Sequence, residues 1–240
     1  MRLRLGSWKA RFWARAFLKN CRRAMKPAVD DVKAVDADIR RAMQALFDQG
    51  VGSLPDEQAR MILVMCASVL AAYRTLKTRL GDSERAFEIV RGAFAKTLPG
   101  PMTWWVRLWM WTTRDPVAYL QRRSLARIGE RSYGKSMEFA EDQTADSASF
   151  LVTRCAFHQY FVDHGEPDLT PLVCAWDRAW MDAIDRSSRP VRTERPSTIS
   201  TGGDCCRFQF IRDDQKAGKD TNDVVLVQLG AREPANVPPS

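Results

Sequence analysis

Apolar residues recur at helical spacing through the first half of the chain. Spaced Val, Ile, Met and Leu predict a helix over residues 30–47, Gly50 to Pro55 break it, and an apolar-rich helix over 56–80 ends at Gly81. A further helix over 82–98 is closed by Pro99, Gly100 and Pro101. Trp104, Trp105, Leu108, Trp109 and Trp111 then crowd a short segment that ends at Asp115 and Pro116, and residues 116–128 predict a helix with a strongly basic side. The tryptophan cluster has three readings: core packing, the wall of a ligand pocket, or rest on a membrane surface.

In the second half the period changes. Residues 136–154 read as two strands around a polar loop at 141–147, Cys155 opens an amphipathic segment in which Cys155, His158 and Val162 follow helical spacing, and 170–184 predicts another helix. Thr170 stands as the N-cap of that helix with Pro171 at its first position. A β-branched run, the Gly202-Gly203-Asp204 turn and strict alternation to Ile211 predict a hairpin over 195–211, with both glycines at positive φ. Residues 213–223 read as a solvated loop, 224–229 as an edge strand, and the proline-bearing tail from Ala231 as disordered. The expectation is an α+β protein, an N-terminal helical bundle packed on a C-terminal antiparallel sheet with two helices. Its regions are a basic amphipathic helix or arm at 1–26, a helical region at 27–130, an α+β region at 131–230 that carries the site, and the tail at 231–240.

The charge is concentrated at the start. Of a formal net +8, residues 1–26 hold nine Lys or Arg and no acid, which leaves the body nearly neutral. Arg4, Arg11, Arg15 and Arg22 cluster on one side of this arm, and Leu5, Trp8, Phe12, Trp13 and Ala16 occupy the adjoining arc. It reads first as the opening helix of the bundle with its basic face solvated; peripheral contact with an anionic membrane is the alternative, and no nucleic-acid partner is expected. No stretch approaches the roughly 20 apolar residues that span a bilayer. Six cysteines without a disulfide framework or a secretory segment point to a reducing cytoplasm. There is no internal repeat, phosphate-binding glycine loop or dinucleotide fingerprint.

One residue breaks the pattern. On the helical wheel of 170–184, Val173, Cys174, Trp176, Trp180, Met181 and Ile184 share a side, and Asp177 projects from among them. An ionised carboxylate on an apolar face must be paired, hydrogen-bonded or shifted in pKa. That makes Asp177 a site candidate, against the plainer reading of an Asp that caps a loop or pairs with an arginine. Strand parity then turns Cys206, Phe208 and Phe210 to one face and Cys205, Arg207 and Gln209 to the other, so Cys206 is the buried member of the adjacent pair.

The order Cys155, Phe157, Phe161, Gly165, then Pro167-Asp168-Leu169-Thr170-Pro171-Leu172, Cys174, Asp177, Arg195, Thr198-Ile199, Gly202-Gly203-Asp204 and Cys206-Arg207-Phe208 resembles the L-2-amino-thiazoline-4-carboxylic acid hydrolase family. The resemblance covers residues 137–212 with motif character and, more loosely, the helical N-terminal half. It implies a hydrolase that opens a cyclic amidine, acting on its carbon–nitrogen bonds by adding water at the carbon between sulfur and nitrogen, with a carbamoyl-cysteine as product class. Its recurring polar members here are Cys155, Cys174, Asp177, Asp204 and Cys206. Such chemistry needs a proton-moving group, a nucleophile and donors for developing charge. Asp177 is expected to act as general base or to hold the amidinium. Cys174 is the first choice of thiol nucleophile, followed by Cys155 and Cys206. Substrate binding is expected from Asp204, His158, Arg195 and Thr198, with Arg195 or Arg207 for a substrate carboxylate. No cofactor is expected; a zinc held by the three thiols and His158 is the alternative, although no Cys-x-x-Cys pair is present. His164, next to Gly165, is expected to cap a helix C-terminus. Trp176 and Trp180 are bulky for a small polar substrate and leave room for a larger or more apolar one. A ligand- or partner-binding module that reuses the same pocket is the second class of function.

Overall fold

Side chains that cap helix starts punctuate the N-terminal half. Ser7, Asp31, Asp56 and Asp82 each accept N–H bonds from the first turn of the helix that follows: α1 (Trp8–Met25), α2 (Val32–Gly50), α3 (Glu57–Leu80) and α4 (Ser83–Ala95). The computed structural model describes residues 3–97 and 99–217. The strand expected at 224–229 and the tail at 231–240 lie outside the described residues, and of 213–223 only a helical turn, Asp214–Ala217, lies within them. The class is α+β, as expected.

The apolar stripes of α1 to α4 meet around α3, whose buried residues run from Ala59 to Leu76. By length and composition α3 is apolar enough to cross a membrane, which corrects the expectation that no such stretch exists; 78% of that window is buried inside the protein, and it serves as the bundle's central helix. Along α1 the face turned inward is Ala10, Trp13, Ala14, Phe17, Leu18, Cys21 and Met25. Trp8 and Phe12, expected on the apolar arc, are instead 67% exposed.

Pro99, read as part of a helix stop, opens α5 (Pro99–Thr112), consistent with the tolerance of proline in a first turn. The predicted helix over 116–128 is two: α6 (Pro116–Gln121), capped by Asp115, and α7 (Leu125–Tyr133), capped by Ser124. The second cap restarts the helix in a new direction. Strands β1 (Glu138–Thr144) and β2 (Ser147–Arg154) pair directly, with Thr144 opposite Ser147, so the polar loop expected at 141–147 shrinks to the two residues Ala145 and Asp146. After α8 (Ala156–Asp163), α9 (Thr170–Cys174) and α10 (Asp177–Asp185) come β3 (Val191–Ser197) and β4 (Cys206–Arg212). The sheet is antiparallel in the order β1-β2-β4-β3.

Asp56 and a shared core help to join the halves. Asp56 caps α3 through Ala59 N (2.7 Å) and accepts from Lys135 N (2.7 Å), just past the turn at Gly134. One buried cluster runs without a break from the α1–α4 helices to Met137, Val152, Phe157, Cys206 and Phe208 of the sheet region. A smaller cluster joins Met110, Val117, Leu120, Leu125, Ile184 and Phe210 beneath α5 and α6.

Candidate active site

The register of β2 on β4 sets Val152 opposite Cys206, Phe150 opposite Phe208 and Ala148 opposite Phe210. Alternation puts all of these on one face of the sheet, and Phe150, Val152, Cys206, Phe208 and Phe210 floor a cavity of about 310 Å³. Helices α5, α6, α7 and α10 close it. Gly129 of α7 is the close approach that permits this: a Cβ there would lie 2.7 Å from the Phe150 ring and 2.8 Å from that of Phe139. One member of the tryptophan cluster meets the pocket-wall reading, and core packing does not hold for the three exposed ones. Trp109 lines the cavity, while Trp104, Trp105 and Trp111 are exposed.

Asp177 sits in this wall with Val173, Cys174, Trp176, Trp180 and Ile184, five of the six residues that the wheel grouped around it. The helix that carries them differs from the expected one. It breaks after Cys174, and α10 restarts at Asp177. Arg195 explains the break: its Nη1 donates to the Cys174 carbonyl (2.9 Å), which occupies the acceptor that a continuous helix would offer to Arg178 N, and Arg178 N bonds Ala175 O instead (3.3 Å). Thr170 is the first residue of α9 rather than a side-chain cap, and its hydroxyl meets His158 Nδ1 at 3.2 Å.

The Asp177 carboxylate accepts from Trp180 Nε1 on Oδ1 (3.1 Å) and from Arg195 Nη1 on Oδ2 (3.4 Å). Its side chain is 22% exposed. Burial raises its pKa to about 6, against the lowering effects of the Trp180 hydrogen bond and the Arg195 charge. Cys155, Cys174 and Cys206 line the same cavity. Burial pushes Cys155 up to about 12 and raises Cys174 and Cys206 from the usual thiol value, so all three stay protonated in neutral solution. Cys206 Sγ accepts from Ile199 N (3.3 Å), and Cys174 Sγ lies 3.8 Å from Ser200 Oγ.

The four expected binding residues do not line the cavity. His158 faces Thr170; the buried face of α8 is Phe157 and Phe161, and Val162 is exposed, so the Cys155, His158 and Val162 stripe is not its inner side. Arg195 is spent on Asp177 and the Cys174 carbonyl and lies over the Phe208 ring (5.8 Å). Arg207, on the far face of β4, pairs with Asp142 (3.1 Å). Thr198 bonds Ser200 and Thr201 inside the β3–β4 connection, and Asp204 is exposed at its end. In that connection Gly202 has the positive φ of 89°, as expected; Gly203 does not. Gly203 is small for another reason, since a Cβ would lie 3.0 Å from Thr198 O. His164 Nδ1 meets the Tyr160 carbonyl at 2.7 Å at the end of α8. Among the described residues no three His, Cys, Asp or Glu side chains gather closely enough to hold a metal ion, so the thiol-histidine zinc set does not assemble.

A residue not singled out beforehand joins the wall. Tyr133, the last residue of α7, has its hydroxyl raised first by burial and then by the charge of Asp177, and it remains protonated. The indole N–H groups of Trp109 and Trp176 are buried without a partner. Nothing local marks Tyr133, because its place depends on how α7 packs on β1 and β2.

The profile of the L-2-amino-thiazoline-4-carboxylic acid hydrolase family matches residues 58–210. The chain belongs to that family. The match takes in α3 to α10 and most of the sheet, hence every residue that lines the cavity. No curated protein matches the chain.

Proposed function

We propose that the chain hydrolyses a cyclic amidine of the 2-amino-thiazoline type, with Asp177 as the base. The observation that carries this reading is a lone carboxylate in an apolar cavity, lifted to about 6 by burial. A base with that pKa is ionised at neutral pH yet holds a proton far better than an ordinary aspartate. Trp180 and Arg195 fix its orientation and leave lone pairs on both oxygens for a water. Because Arg195 already balances the carboxylate, the base role suits Asp177 better than capture of an amidinium does.

The chemistry follows from these groups. Asp177 takes a proton from water as the water oxygen bonds to the carbon between sulfur and nitrogen, and the C=N electron pair moves onto nitrogen. The protonated Tyr133 hydroxyl is placed to donate to the charge that develops there. As the new C=O forms, the proton of the added hydroxyl passes to the ring nitrogen, the C–S bond breaks and the proton held by Asp177 passes to the sulfur. The products are a urea-type carbamoyl group and a free thiol, with one water consumed. The thiols of Cys155, Cys174 and Cys206 stay neutral and shape the wall, which replaces the expected thiolate attack by Cys174.

Ring opening releases a thiol, so turnover can be followed with a thiol-reactive dye on 2-amino-thiazoline compounds. Wild type is expected to release thiol and Asp177→Asn is not; equal rates would end this reading. Loss of activity in Cys174→Ser with Asp177 intact would restore the thiolate mechanism. The aromatic and aliphatic wall favours a second reading, a binding module without turnover, which the same assay separates because only the enzyme releases thiol.

A further inference from the structure

Asp177 is the one carboxylate that lines the cavity, and no Lys, Arg or His lines it among the described residues. The cations nearest in the fold are committed elsewhere: Arg195 to Asp177 and the Cys174 carbonyl, Arg207 to Asp142 on the opposite face of the sheet. A ligand carboxylate drawn into this half-open apolar cavity would lie beside the Asp177 carboxylate with no cation on the wall to pair it, which is costly on both counts. The remaining wall is aromatic and aliphatic, with Trp109, Trp180, Phe150, Phe208 and Phe210 prominent. At about 310 Å³ it reaches the lower end of pockets that hold drug-sized ligands, roughly 300–1,000 Å³.

Resting on the hydrolytic reading above, we infer that the ring this cavity takes carries an aryl-sized apolar substituent in place of a carboxylate. The ligand class is a 2-amino-thiazoline without a carboxylate, or the corresponding C=N heterocycle, with a phenyl or branched-alkyl body. Its C=N head lies at the Asp177 and Tyr133 end, and its body lies over Phe150, Phe208 and Phe210.

The test is a titration of the full chain, read by tryptophan fluorescence, with 2-amino-4-phenyl-thiazoline and with 2-amino-thiazoline-4-carboxylate. The phenyl compound is expected to bind about ten-fold more tightly or better, from the area it buries. Ile128 lines the cavity and is 47% exposed, so it tolerates a charge; Ile128→Arg supplies the missing cation and should narrow the preference. Carboxylate binding equal to or tighter than phenyl binding overturns the inference and leaves the hydrolytic reading standing, as does failure of the phenyl compound to bind while the carboxylate is turned over. Binding of neither compound overturns it too. Tight phenyl binding by wild type and Asp177→Asn alike, with no thiol released by either, supports the ligand class and removes the hydrolytic reading.

Discussion

Replacing Asp177 by Asn should abolish turnover and at the same time make the fold more stable, by an amount that depends on pH. The cost of holding this carboxylate ionised follows from its pKa: a rise from the ordinary 3.8 to about 6 corresponds to about 3 kcal/mol at 1.4 kcal/mol per tenfold. At about pH 4 and below, Asp177 is protonated in the folded chain and the penalty is absent. Between about 4 and 6 the folded chain holds a proton that the unfolded chain releases, so stability falls as pH rises; above about 6 the full penalty applies. Asn keeps the shape and never ionises. Its loss of the Arg195 ion pair does not confound the comparison, because protonated Asp177 lacks that pair as well. Urea unfolding of both proteins at about pH 4 and about pH 8 should show the gap between them widening by up to about 3 kcal/mol in favour of Asn at the higher pH. A gap that stays constant would mean that burial does not control this carboxylate, and the base assignment would lose its physical ground.

Trp180→Phe removes the N–H that lowers the Asp177 pKa, so the acid limb of the kcat/KM profile should move to higher pH; an unmoved limb would show that the hydrogen bond does not act on the base. Asp56→Ala takes away both the α3 cap and the partner of Lys135 N. It should cost about 1–2 kcal/mol in chemical denaturation, with Asp56→Asn recovering part, and a loss below about 0.5 kcal/mol would refute the joint role. Gly129→Ala drives a methyl into the Phe139 and Phe150 rings. About 1–3 kcal/mol of destabilisation is expected by calorimetry, together with weaker ligand binding, since Phe150 floors the cavity; a neutral result would mean that α7 moves freely off the sheet.

The sequence by itself determined what local chemistry controls. The aspartate caps and the Gly81 stop delimit α2 to α4, because a helix end needs partners within a turn of its own chain. Alternation in β4 placed Cys206 with Phe208 and Phe210, and helical spacing singled out Asp177 as a carboxylate among apolar neighbours. Only the tertiary structure decided what surrounds it. The break after Cys174 depends on Arg195 reaching a carbonyl 21 residues away. Tyr133 joins the wall because α7 packs on the sheet at Gly129, and among the described residues the cavity has no lining cation because Arg195 turns to Asp177 and the Cys174 carbonyl. Such pairings join residues distant in the chain, and neither period nor propensity records which partner is nearest in space. The same limit explains why thiols chosen as nucleophiles prove to be protonated: their reactivity is set by the depth at which the sheet and helices bury them.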